Sequence, residues 1–124
     1  MDSRETLDFA RALMNEIWLP LDPGPVPRFY RRDVVGWNRK PRLTYDDVVH
    51  RLVSDRPRFR NPKYDIQDII AAEDKFAIRF YFTSTLADGQ PANAEANYFY
   101  HLREGKVSEF WLLADIAFDY KAGA

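Results

Sequence analysis

The sequence predicts a single α+β domain, with about three amino-terminal helices packed in the concave face of a curved antiparallel sheet. Three observations carry this. Apolar residues recur at helical spacing between Asp2 and Leu19, a capping sequence at Thr44 opens another amphipathic stretch, and beyond Pro62 apolar and polar residues alternate in long runs divided by short turns. Helices that precede a run of strands settle as a separate layer on one face of the sheet. With 124 residues, 46% of them hydrophobic and 15% aromatic, the chain suffices for one core, so residues 1–124 are expected to form one domain.

The first helix is expected over Asp2 to Leu19, where Leu7, Ala10, Leu13, Met14, Ile17 and Trp18 share a face opposite Arg4, Asp8, Arg11 and Asn15. Pro20, Pro23, Gly24, Pro25 and Pro27 break it. A short second helix carries Phe29-Tyr30 and leads into the β-prone pair Val34-Val35, followed by Gly36-Trp37. Thr44, with Asp47 three residues on, makes an Asp-containing capping box; Val48, Val49, Leu52 and Val53 then supply the apolar face of a third helix that Pro57 closes. Tyr64 to Ala72 reads as a strand, Asp74-Lys75 as a turn, Phe76 to Thr85 as a long strand and Ala87 to Pro91 as a hairpin loop. In the final hairpin, Tyr98 to Arg103 and Lys106 to Asp115 flank Glu104-Gly105, where glycine tolerates the positive φ of so tight a turn.

Strand parity assigns faces, because successive side chains point to opposite sides of a sheet. Phe76, Ile78, Phe80, Phe82 and Ser84 form one row, Ala94, Ala96, Tyr98, Tyr100 and Leu102 the next, and Phe110, Leu112, Ala114, Ile116 and Phe118 the last. These rows are expected to face the helices as an apolar inner surface holding two tyrosine hydroxyls. The opposite rows contain Arg79, Tyr81, Glu95, Asn97, Phe99, His101, Val107, Glu109, Trp111 and Asp115. Aromatic side chains exposed among charges suggest an interface there.

Composition narrows the function. There is no apolar run of the roughly 18 residues that a membrane span needs, and Met1-Asp2-Ser3-Arg4-Glu5 is too charged for a secretory signal, so a cytoplasmic protein is expected. Without cysteine there is no disulfide, thiolate ligand or Cys nucleophile, and two distant histidines, His50 and His101, argue against a metal centre; no cofactor is expected. The net charge of −1 hides a basic segment: Arg28 to Lys63 holds eleven basic against four acidic residues, +7, which leaves −8 elsewhere. Such a block can mark a phosphate or nucleic-acid surface, although a dedicated nucleic-acid domain is usually basic as a whole.

The order of elements, Asp33-Val34-Val35 entering the first strand, the strand from Phe76 with its loop to Gly89, and above all Arg-Glu-Gly-Lys-Val-Ser-Glu-Phe-Trp at 103–111 resemble the SnoaL-like polyketide cyclases. Those belong to the nuclear transport factor 2-like superfamily, and the resemblance implies a cone: a strongly bent sheet wrapped around helices, enclosing an apolar cavity. It also implies a general acid or base aspartate after the last-strand Trp, where this chain has Leu112. The related epoxide hydrolases would place an arginine and an aspartate facing the cavity where parity puts Phe80 and Phe82, and the cyclase His falls near Leu86. Many cone-shaped relatives dimerise through the sheet, which implies a homodimer through Tyr81, Phe99 and Trp111.

Two readings of the cavity stay open. In one it binds a small hydrophobic or aromatic metabolite, with Trp18, Tyr30, Trp37, Phe80, Phe82, Phe110 and Leu112 lining it. In the other it is a cofactor-independent lyase, isomerase or cyclase using Asp115 as proton shuttle and Tyr98 or Tyr100 as hydrogen-bond donor. Asp115 has the parity of Glu109, on the outer face, unless a one-residue bulge re-aims it. A third reading, binding of phosphate or nucleic acid through residues 28–63, is expected to be the weakest. His50 can face either solvent or the cavity.

Overall fold

A computed structural model describes residues 1–39 and 42–116, and of 115 and 116 the backbone alone. Helix α1 (Ser3–Leu13) begins with an Asp2–Glu5 capping box and runs into a π-helical turn, Met14–Trp18. Thr6, rather than the expected Leu7, is fully buried at its start; its hydroxyl accepts from the Asp74 amide at 3.3 Å, a polar contact that apolar periodicity cannot register. Helix α2 (Val26–Phe29) is one turn long, and Tyr30 opens strand β1 (Tyr30–Trp37) instead of closing the helix. Strand β2 (Arg42–Leu43) precedes helix α3 (Tyr45–Arg58), which starts at the Thr44–Asp47 capping box and runs through Pro57. The meander comprises β3 (Phe59–Ala72), β4 (Lys75–Leu86), β5 (Pro91–Arg103) and β6 (Lys106–Ile116).

The six strands make one sheet in the order β2-β1-β6-β5-β4-β3. The sheet is mixed, not purely antiparallel, because β1 lies parallel to β6. A parallel pair needs a long crossover, and here α3 and four strands intervene between the partners. Bulges in β3 at Arg60/Lys63 and Ile66/Asp68 bend the strand and curve the sheet around the helices.

Burial alternates along β4 and β5 as parity requires, with Phe76, Ile78, Phe80 and Phe82 buried on one strand and Ala92, Ala96, Tyr100 and Leu102 on the next. Val107 departs from its expected outer row and is fully buried. A register shift explains this: Leu102 pairs with Val107 but His101 with Glu109, so Ser108 is extra and the rows beyond it resume the expected parity. On α3 the expected Val53 is 55% exposed while Asp55 is 4% exposed. The helix therefore turns a polar residue inward beside Leu52.

Candidate functional site

Between the inner face of the sheet and the helices lies a cavity of about 310 Å³. Its position follows from side-chain size. Phe80 pairs across the sheet with Ala96, Ala96 with Ala114, and Phe82 with Ala94. Three alanines thus stand where larger residues would fill the space.

The sheet wall is aromatic. Phe80 packs on Tyr98 with ring centroids 5.7 Å apart, Tyr98 on Tyr100 at 5.8 Å and Tyr100 on Phe110 at 5.9 Å, all with nearly parallel rings. Phe82 and Leu112 complete this wall. At the helix side, the π-helical turn presents Met14 and Trp18; an extra residue in a helical turn re-aims the side chains that follow. The Trp18 indole donates to the Tyr30 hydroxyl at 3.1 Å, and that hydroxyl is hydrogen-bonded to Tyr100. Burial pushes the Tyr30 and Tyr100 phenols well above their ordinary pKa, so both are neutral at physiological pH. Tyr100 directs its hydroxyl proton at the Tyr30 oxygen, which adds to the upward shift of its own pKa.

The third wall comes from α3. Asp47, Arg51, Asp55 and Arg58 form a stripe along the helix, with His50 and Ser54 beside it. Asp47 is held by the cap, accepting from the Thr44 amide at 2.7 Å. Asp55 accepts from Arg51 Nε at 2.7 Å and lies 3.6 Å from Arg58 Nη1. His50 is exposed, its Nε2 3.4 Å from the Ser54 hydroxyl. Of the apolar face expected for this helix, Val48 and Leu52 are buried and Val49 packs against the core, while Val53 is exposed; the spacing at 47, 51, 55 and 58 is the available sign of a polar stripe.

Among the expected lining residues, Trp18, Phe80, Phe82, Phe110 and Leu112 border the cavity, as do Tyr98 and Tyr100. Tyr30 is 2% exposed and sits behind the lining, joined to it through Trp18. Trp37 does not reach the cavity: its indole donates to Glu109 at 2.8 Å, because its place on β1 beside Trp111 puts it on the other face. The backbone register sets Asp115 opposite Glu95, and its side chain lies outside the described residues, as does Phe118. His101 packs against Phe99 and Trp111 on the outer face. In the basic segment, Arg28, Arg31, Arg32, Arg51 and Arg58 each make an ion pair. Among the described residues no group of three or more acidic or histidine side chains is arranged to hold a metal ion, and no helix is long and apolar enough to cross a membrane.

The family profile of the SnoaL-like polyketide cyclases matches residues 8–118. The chain belongs to the SnoaL-like polyketide cyclase family. Solved structures agree on the fold of this SnoaL-like chain. AclR of Streptomyces galilaeus, a proposed hydroxylase, superposes with a TM-score of 0.83 at 19% identity, over 93% of this chain and 81% of its own. A proposed SnoaL-like polyketide cyclase from Jannaschia sp. CCS1 gives 0.79 at 11% identity, covering 91% and 87%. IdmH of Streptomyces antibioticus, a proposed polyketide cyclase, gives 0.74 at 17% identity, covering 89% and 91%. No curated relative matches the chain in sequence. Membership in the SnoaL-like family supports a function of binding a small molecule or of cyclase- or isomerase-type conversion.

Proposed function

We propose that this SnoaL-like protein binds a small hydrophobic or aromatic metabolite in the cavity and acts, as a cytoplasmic protein, without cofactor. One observation carries the reading: the sheet wall offers Phe80, Phe82, Phe110 and Leu112 and no carboxylate or histidine among its described lining residues. The carboxylates that do border the cavity, Asp47 and Asp55, are engaged by a helix cap and by two arginines. A thermal-shift screen of aromatic and terpenoid compounds is expected to raise the melting temperature without chemical change in the compound. Turnover of a bound compound would favour the second reading.

That second reading is a lyase, isomerase or cyclase in which Tyr100 or Tyr98 donates to a substrate oxygen and Asp115 moves the proton. The two tyrosines that border the cavity, Tyr98 and Tyr100, favour it. Loss of turnover in both Asp115→Asn and Tyr100→Phe supports it; unchanged turnover removes it.

The functional unit in this proposal is a homodimer joined through the outer sheet face. Register lines Ile70, Ala77, Phe99, Trp111 and Trp37 into one cross-sheet row. Ile70, Tyr81 and Phe99 are exposed on that face, as an interface requires.

A further inference from the structure

Resting on the reading of the cavity as a ligand site, we infer that its ligand is an aromatic carboxylate whose anionic group meets Arg51 and Arg58 of α3. Asp55 is 4% exposed, and one of its oxygens, Oδ1, has no hydrogen bond. Its carboxylate is balanced by Arg51 at 2.7 Å and Arg58 at 3.6 Å. Burying Asp55 is a poor way to stabilise a helix, because desolvation offsets the ion pairing and an apolar residue of similar size serves as well. What the cluster does achieve is position. Asp55 orients two guanidinium groups at the edge of the apolar cavity, so it is a positioning residue.

The arginine side chains are 40% and 21% exposed, against 6% for Asp55, and both border the cavity. A guanidinium is a planar fork that binds a carboxylate by two parallel hydrogen bonds. Next to an apolar wall that attraction is less screened than in water. The facing wall consists of the stacked Phe80, Tyr98, Tyr100 and Phe110 rings, which suit an aromatic body. At about 310 Å³ the cavity is at the small end for ligand pockets, which selects one or two rings.

Isothermal titration of the full chain with 2-naphthoate and with its neutral isostere naphthalene-2-carboxamide tests this. The wild type is expected to bind naphthoate at least about tenfold more tightly, a difference suited to charge-assisted hydrogen bonds. Arg51→Gln and Arg58→Gln are each expected to bring the ratio of the two affinities towards one. Equal affinities in the wild type, or a preference that survives in both variants, overturn the inference while leaving the apolar site intact. Failure of both probes to bind overturns the inference and the reading beneath it. Should Arg58→Gln not fold, Arg51→Gln, more exposed and mid-helix, decides alone.

Discussion

Tyr30 and Tyr100 show how burial alone can set chemistry. Desolvation penalises the phenolate; at Tyr30 it outweighs the hydrogen bonds that Trp18 and Tyr100 direct at the hydroxyl, and at Tyr100 the hydrogen bond to Tyr30 adds to it. Their raised pKa makes a claim about stability. An unfolded tyrosine ionises near pH 10, whereas these two remain neutral there. Their contribution is therefore fully present below about pH 10 and is lost as pH rises beyond it. In a spectrophotometric titration at 295 nm, two of the seven tyrosines are expected to ionise only together with unfolding. Gradual ionisation of all seven in the folded protein contradicts their burial. The inward direction of Tyr100 was legible from the alternation along its strand. Its link to Trp18 through Tyr30 was not, because that chain joins residues 12 and 70 positions apart through tertiary packing alone.

Elements were read correctly where one physical signal dominated, as in the Thr44–Asp47 cap and the Glu104-Gly105 turn. The reading failed where two signals competed. Val53 has the apolarity for the core and Asp55 the wrong charge, yet the arginines on either side of Asp55 neutralise it and the helix rotates accordingly. The Ser108 bulge likewise left no mark in residue type and placed Val107 wrongly. Between β1 and β6 a further constraint is absolute: a Cβ at Gly36 would lie 2.2 Å from the Phe110 ring. Gly36→Ala must drive that ring into the cavity. Overpacking of this kind costs about 1–3 kcal/mol, measurable by urea denaturation, and the same variant is expected to lose naphthalene-2-carboxamide binding. Unchanged stability and binding contradict the displacement of the ring into the cavity.

For the whole molecule, the proposed dimer depends on a sheet face that mixes exposed aromatics with ion pairs such as Arg79–Asp68. Trp111→Glu sets a charge in the middle of the apolar row and is expected to yield a 14.6 kDa monomer by light scattering at micromolar concentration; a wild type that is already monomeric removes the dimer. The α+β class and the layering of helices on the sheet were legible because helical and alternating periods occupy separate halves of the chain. The parallel pairing of β1 with β6 was not, since neighbours in a sheet need not be neighbours in sequence. That pairing governs the route of assembly. The latest strand to be synthesised among those described occupies an interior place in the sheet, hydrogen-bonded to β1 on one side and β5 on the other. The long-range closure it makes is of the kind that slows folding. Until it docks, β1 and β5 expose unpaired backbone edges open to pairing with other chains, so this is the interval in which a nascent molecule is vulnerable to aggregation.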